Sequence, residues 1–328
     1  MNNNSLNEIA QVMDKADKIL FLTHVIVDGD SAGTAAALCR VMRERGKTAH
    51  IFTGEKLPDN ISFLEYGDFI KDENSLLDEY DIAAAIDCSD MTRFEKRLEY
   101  FKRGKISVNI DHHETNDCYA DYNYVDSSAA ATGEIVFNLI ETAGWNLSPK
   151  AAEGLYTAIV TDTGQFQYSS TTSGTHRIAA ALHDAGIDLN YISTNVYQNV
   201  RKNKYIIQGE IFKTLEFREN DRFAIAFSDI NMLERTKSEI QDTDGIVELI
   251  RNIDTVEVAA FAKETAPGVM KLGFRSKYDL NVAELAAKFG GGGHAKASGC
   301  TIYGGIEDVK KALYPEISKL FMNRKSSI

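Results

Sequence analysis

The chain has 328 residues, 44% of them hydrophobic and 26% charged, an ordinary globular composition with material for one or two cores. With only 4 prolines, no low-complexity tract and no apolar run of about 18 residues, disordered, fibrous and membrane-spanning classes are excluded. The net charge of −12 is concentrated before residue 222, with 21 basic against 34 acidic residues there and 15 against 14 beyond, which argues against tracking along long nucleic acid but not against a small anionic substrate held by metal ions or a local patch.

In chain order, a short apolar strand over 18–23 is followed by a helical pattern over 31–45 and a strand over 47–53. Strands over 81–86 and 105–110 come next, with helical segments over 93–102, 133–143 and 149–160. Strands alternating with helices predict βαβ units and a parallel sheet covered on both faces. A polar helical stretch follows, and beyond it lie strand-like runs over 222–228, 255–263, 270–275 and 300–303, with helices over 238–252, 282–289 and 307–323. The fold class is therefore α/β: a parallel-sheet domain over 1–190, a connecting helix over 191–217, and a smaller α/β domain with a mixed sheet over 218–328. The N-terminus is polar and lacks the basic-then-apolar start of a secretory signal. Cys39, Cys88, Cys118 and Cys300 form no CxxC pair, so a zinc ribbon and a thioredoxin motif are not expected. Buried free thiols and a cytoplasmic location are the expectation.

The residues suited to chemistry cluster just past the strand ends. The first strand runs into Thr23-His24-Val25-Ile26-Val27-Asp28-Gly29-Asp30-Ser31, the one ending at Ile86 into Asp87-Cys88-Ser89-Asp90, and the one ending at Ile110 into Asp111-His112-His113-Glu114. The helix ending near Val160 runs into Thr161-Asp162-Thr163-Gly164. Sites in open parallel sheets form beyond the carboxyl ends of the strands, so His24, Asp28, Asp30, Asp87 and His112 share one rim, which Asp162 can join. Carboxylates gathered this closely repel one another unless cations are present. Six donors, two of them imidazoles, suit two divalent ions with a bridging carboxylate, and the oxygen and nitrogen mixture favours manganese over a thiolate-rich zinc site. His50, His176 and His183 have no partner carboxylates at metal spacing and read as structural.

These four segments, in this order and spacing, resemble the motifs of the DHH phosphoesterases. The later run Gly290-Gly291-Gly292-Gly293-His294-Ala295-Lys296-Ala297-Ser298-Gly299, preceded by Phe274-Arg275-Ser276, resembles the DHH-associated domain 1 of the same proteins. Within the family the pattern is most similar to the oligoribonucleases that are also pAp phosphatases. The resemblance implies one ion on His24, Asp28 and Asp87 and a second on Asp30, Asp87, His112 and Asp162. It implies catalytic roles for Asp87 and His113, with His113 facing the substrate phosphate and Asp111 orienting the histidine. Val27 stands where the family usually has proline, and Thr34 where it often has serine; neither is a ligand position.

The glycine run comes after an amphipathic helix and lacks a Walker ending, and as a loop of exposed amides it suits phosphate. Arg275, Ser276, Gly291, Gly292, Gly293, His294 and, less directly, Arg93 are the expected substrate-binding residues, the arginine offering a bidentate grip. The implied reaction is hydrolysis of short oligoribonucleotides to nucleoside 5′-monophosphates and of pAp to AMP, in a cleft between the domains, by two manganese ions activating a bridging water. A phosphodiesterase for linear signalling dinucleotides such as pGpG and a non-catalytic RNA-binding protein are the alternatives. No membrane partner is expected, and a homodimer stays open.

Overall fold

The computed structural model describes residues 3–65, 69–70 and 72–325, and divides the chain into two compact units, Met1–Asn199 and Val200–Ile328. In the first unit, strands β1 (Lys18–Leu22), β2 (Thr48–Phe52), β3 (Phe69–Ile70), β4 (Tyr80–Ile86), β5 (Gly104–Asp111) and β6 (Tyr122–Val125) form one sheet in the order β3-β2-β1-β4-β5-β6, every pair parallel. Its helices are α1 (Leu6–Lys15), α2 (Gly29–Glu44), α3 (Leu98–Phe101), α4 (Thr132–Ala143), α5 (Pro149–Asp162), α6 (Ser173–Asp184) and α7 (Leu189–Ser193). One sheet face packs Ile19, Phe21, Ile82, Ala84, Ile86, Val108 and Ile110 against α2, α4 and α5. The other face buries Leu20, Leu22, Tyr80, Ala83 and Ala85 with Phe94 and Phe101. This two-sided burial is why β1 and β4 read as continuous apolar runs rather than alternating ones.

The second unit contains α8 (Lys202–Phe212), β7 (Glu216–Arg218), β8 (Phe223–Ser228), α9 (Ile230–Thr236), α10 (Ile246–Arg251), β9 (Val258–Ala266), β10 (Val269–Ser276), α11 (Val282–Ala287), β11 (Gly292–His294), β12 (Ala297–Tyr303) and α12 (Ile306–Lys325). Its sheet runs β11-β12-β10-β9-β8-β7, with β8 and β9 parallel and the other neighbours antiparallel. Among the described residues no helix is long and apolar enough to cross a membrane.

Four local expectations are corrected. The segment 93–102 is not one helix: a 3-10 stretch over Met91–Arg97 is broken at Glu95 (φ 47°, ψ −120°) before the single turn of α3. The helix expected over 238–252 is a 3-10 turn, Ile240–Thr243, followed by α10, because Gly245 between them adopts φ 90°. The connecting helix over 191–217 is not continuous; a π-helical turn, Thr194–Gln198, ends before α8, and the stretch closes in strand β7. The glycine run is not a bare loop, since Gly292–His294 pairs with Ala297–Gly299 as a hairpin.

Helices α2 and α5 meet through glycine. A Cβ on Gly33 would lie 2.3 Å from the carbonyl oxygen of Gly154, and one on Gly154 would lie 2.5 Å from that of Gly33. Gly133 at the start of α4 is equally confined, its Cβ position 2.7 Å from that of Ala158. Backbone-to-backbone approach of this kind fixes the helix ends that carry the motif residues, and any side chain there forces the helices apart. Gly33→Val should therefore lower stability by about 1–3 kcal/mol through overpacking, read from the denaturant midpoint of Trp145 fluorescence. Trp145 is the chain's single tryptophan and lies in the first unit. An unchanged midpoint would show that this contact does not hold the helices.

Candidate metal centre

The carboxyl ends of β1, β4 and β5 deliver three motif segments to one rim, and the C-terminus of α5 adds a fourth. His24 lies two residues past β1, 2% exposed, and neither of its ring nitrogens makes a hydrogen bond. Its Nε2 lies 3.4 Å from Asp28 Oδ2 and 3.6 Å from Asp87 Oδ2. Asp87 leaves β4 in the left-handed region, φ 58°, which turns its carboxylate across the rim. Its other oxygen, Oδ1, lies 3.6 Å from His112 Nε2. The same His112 nitrogen is 3.8 Å from Asp30 Oδ2 and 3.5 Å from Asp162 Oδ2.

The candidate ligand atoms of His24, Asp28 and Asp87, and likewise those of Asp30, His112 and Asp162, lie within 4.8 Å of one another. Donors about 2.1 Å from a shared ion lie about 3–4 Å apart, the spacing these pairs have. A buried imidazole with both nitrogens unpartnered, facing two carboxylates just beyond hydrogen-bond reach, has the chemistry of an ion's ligand set. The residues fit divalent cations. Asp87, Oδ2 toward His24 and Oδ1 toward His112, stands between the two groups. A further grouping of Asp87, His112 and His113 also falls within that spacing. There, however, His113 Nδ1 is already engaged 2.7 Å from Asp111 Oδ1.

The charges are held by groups with no sequence pattern. Asp30, 1% exposed, accepts from the backbone amides of Thr132 (2.7 Å) and Gly133 (3.0 Å) at the N-terminus of α4, and from Thr34 Oγ1 (3.1 Å). Helix N-termini favour negative charge. Thr132 Oγ1 also donates to Asp87 Oδ1 at 2.9 Å, so one residue ties two ligands together. Asp28 caps α2 by accepting from the Ser31 amide at 2.9 Å. Arg97, 6% exposed, donates from one guanidinium nitrogen to the carbonyl of His24 at 2.9 Å and clamps the segment after β1. His112 is oriented through Nδ1, 3.2 Å from the carbonyl of Ala129. Asp111 is fully buried, and among the described residues its carboxylate bonds only His113, the His112 amide and Asn116, which suits it to positioning the histidine. Arg97, Thr132 and Asn116 are the side chains bonded to the rim that motif reading passes over.

Burial, with the charges of Asp87, Asp162 and Asp28 behind it, holds the Asp30 carboxyl well above its ordinary value of 3.8. Burial likewise lifts Asp162 to about 6, helped by Asp87 and Asp28 and opposed by His112. For His24 burial pulls the other way, but Asp28 and Asp87 outweigh it and raise the ring from 6.5 to about 9. Asp28 and Asp111 are lowered despite burial, by His24 and His113 respectively. The Asp111 hydrogen bond raises His113.

Of the expected substrate-binding residues, Arg93 belongs to the first unit and the others to the second. Arg93, half-exposed, sits in the 3-10 stretch, and its carbonyl accepts from the Val25 amide at 3.0 Å. Arg275 donates to Glu248 Oε1 at 2.9 Å from the outer face of β10. Strand alternation puts Ser276 on the opposite, core-facing side, 4% exposed, its hydroxyl buried without a hydrogen-bond partner. His294 is exposed at the end of β11, and Gly291 and Gly293 are confined by β12, with Cβ positions 2.1 Å from Gly299 O and 2.6 Å from Ala297 O. Gly292 is open. His50 bonds Tyr80, and His176 and His183 pack on Phe166 and Tyr156.

These shifts make stability depend on pH. An acid raised in the folded state costs stability as pH climbs from 3.8 through about 6, as Asp162 does. A histidine raised to about 9 contributes fully below 6.5 and loses that contribution as pH rises through 9, as His24 does. The lowered carboxylates, Asp28 and Asp111, contribute constantly above 3.8. Chelated protein should therefore lose thermal stability from pH 5.5 to 8.5, while divalent ions, which need deprotonated ligands, should give a Tm gain that grows over that range. A gain independent of pH would count against these ligands. Asp87→Asn should weaken both ions in a calorimetric titration, whereas Asp28→Asn should weaken one.

The DHH family, N-terminal domain, is matched over residues 18–159 and the DHHA1 domain over residues 230–322. A probable bifunctional oligoribonuclease and PAP phosphatase, NrnA, of Streptococcus mutans is 30% identical over 306 residues, which span 93% of this chain and 95% of that protein. The bifunctional oligoribonuclease and PAP phosphatase NrnA of Bacillus subtilis is 29% identical over 90% of this chain and 93% of its own. Among solved structures, an exopolyphosphatase-related protein from Bacteroides fragilis has the same fold, with a TM-score of 0.87 at 24% identity, covering 96% of this chain and 97% of that one. RecJ of Thermus thermophilus, solved in complex with Mn2+, shares the fold more distantly, with a TM-score of 0.54 at 13% identity, covering 100% of this chain and 55% of that one. With a rim of six candidate ligand side chains on a parallel sheet and both domains matched in order, the chain belongs to the DHH family of phosphoesterases.

Proposed function

We propose that this protein hydrolyses short oligoribonucleotides to nucleoside 5′-monophosphates and the 3′-phosphate of pAp to give AMP. The observation that carries the reading is the Asp87 carboxylate, whose two oxygens face two different histidines, each with its own further carboxylates. That arrangement suits two ions held a short distance apart, and manganese is the ion we assign from the mixed oxygen and imidazole donors. When bound, such a pair supplies Lewis acidity toward phosphoryl oxygens and a nucleophile at neutral pH.

The chain's own groups do the rest. Asp30 and Asp87 stay in register because Thr132 and the α4 amides hold them. His113, with a side chain 39% exposed and Nδ1 tied to Asp111, presents Nε2 outward. The hydrogen bond to Asp111 raises the His113 ring above its ordinary value of 6.5. As water adds to phosphorus and the bond to the 3′ oxygen breaks, that oxygen takes the Nε2 proton and leaves as an alcohol. With pAp the same balance yields AMP and inorganic phosphate. Arg275, Gly292 and His294 are the groups we assign to the substrate's phosphates. A linear dinucleotide such as pGpG fits the same chemistry and belongs in the substrate panel. The single chain gives no support for a homodimer.

The test is turnover of diribonucleotides, pAp and pGpG by purified protein with manganese, with products identified by mass spectrometry. Loss on chelation and nucleoside 5′-monophosphate products are expected. No turnover of any of the three would refute the assignment. His113→Ala should lower kcat by about 100-fold or more while the number of bound ions is unchanged. A normal kcat would remove the proton-donor role.

A further inference from the structure

Beneath the rim, β5 alternates between the two faces of its sheet: Val108 and Ile110 pack with the helices, and Asn109 and Asp111 lie on the other side. That side buries Ala83, Ala85, Phe94 and Phe101, yet it also takes in Asn109 and Asn116, at 0% and 2% exposure, and the hydroxyl of Tyr119. Polar groups set among apolar side chains cost free energy unless they are hydrogen-bonded, and a network that satisfies them fixes one arrangement. All three converge on one backbone atom, the carbonyl oxygen of Cys88, which accepts from Asn109 Nδ2 at 3.2 Å, Asn116 Nδ2 at 3.2 Å and Tyr119 Oη at 3.0 Å. Cys88 follows Asp87 and lies past Ile86 and Ile110, the last pair of the β4–β5 ladder, so side chains hold the chain where the ladder has stopped. Asn116 Nδ2 has two closer acceptors, Asn109 Oδ1 at 2.8 Å and Asp111 Oδ2 at 2.6 Å, and the other oxygen of Asp111 holds the His113 ring. Asn116 Oδ1 accepts from the Cys118 amide at 2.8 Å, and the Asn116 amide donates to the His113 carbonyl at 3.1 Å, so the turn after the two histidines folds back under them.

We infer that Asn116 is a positioning residue for His113: it locks the Asp111 carboxylate, and through it the ring, to the backbone that follows Asp87. Without that amide the second oxygen of Asp111 loses its bond, the carboxylate is free to turn, and the imidazole loses its fixed place relative to the Asp87 carboxylate. A displacement of that kind costs rate without touching substrate. The inference deepens the proposed function and rests on that reading only for what His113 does to the leaving oxygen.

The experiment is a double-mutant cycle on the full chain with manganese present. Two variants are used, Asn116→Ala and Asn116→Ser; the serine hydroxyl can still accept from the Cys118 amide but is too short to reach Asp111. Each should lower kcat on a diribonucleotide about 10–100-fold and leave KM within about twofold of wild type. In the His113→Ala background the same changes should lower kcat by less than about twofold, because the group they position is gone. Equal losses in both backgrounds would overturn the role. The denaturant midpoint of Trp145 fluorescence, read over the same cycle, needs no turnover. The midpoint loss caused by Asn116→Ala should shrink in the His113→Ala protein, and losses that simply add would also overturn the role. Coupled midpoints in a protein that cleaves neither diribonucleotide nor pAp remove the phosphoesterase reading and leave the link from Asn116 to His113 standing.

Discussion

Asp30 and Asp87 are carboxylates at 1% and 3% exposure, set among Asp28, Asp162 and two histidines, and the rest of the first unit is arranged around the charge they carry. A carboxylate removed from water needs hydrogen bonds and a counter-charge. The protein supplies the hydrogen bonds in full: two amides at the start of α4, the hydroxyls of Thr34 and Thr132, and the cap of α2. It supplies counter-charge only through imidazoles, and the metal-free answer is to keep protons, Asp30 held far above its ordinary value and Asp162 lifted to about 6. Cations resolve the same conflict without protons, which is why carboxylates and imidazoles crowded this closely suit a divalent-ion site.

Holding the set in register is a backbone problem. Three helix ends and three strand ends must meet within a few ångströms, and the chain achieves this by leaving side chains out where helices cross. Gly33 and Gly154 let α2 and α5 touch backbone to backbone, and Gly29 accommodates Thr161, whose Oγ1 would lie 2.3 Å from a Cβ there. Asp87 is turned by a left-handed residue at the strand end, strain of the kind that persists where surrounding structure over-determines it. Arg97 pins the segment carrying His24 through its carbonyl, a contact that leaves the imidazole free to serve as a ligand.

Much of this was legible from strand parity and motif position. His24, Asp28, Asp30, Asp87, His112 and Asp162 could be placed on one rim because a parallel sheet puts all its strand ends on one side. The holders were not legible. Thr132, Asn116 and Arg97 are lone polar residues whose partners lie 45, 5 and 73 positions away in their key contacts, and no local pattern marks them. Periodicity also overran its breaks: Glu95 and Gly245 interrupt helices that the apolar spacing continues, because one residue's φ overrides a propensity summed over a turn. The inward side of Ser276 was readable, since a residue next to Arg275 in a strand faces the other way.

Charge then separates the two units' work. Residues 1–199 carry 16 basic and 30 acidic side chains, residues 200–328 carry 20 and 18. A polyanionic substrate is repelled by the first unit in its metal-free state, and the divalent ions that neutralise its ligands are also what make its rim approachable. The second unit needs no such conversion, since its basic and acidic side chains nearly balance. Long nucleic acid would present many phosphates to the first unit's acidic surface for each one neutralised, whereas a dinucleotide or a nucleoside bisphosphate, the substrates proposed above, brings few.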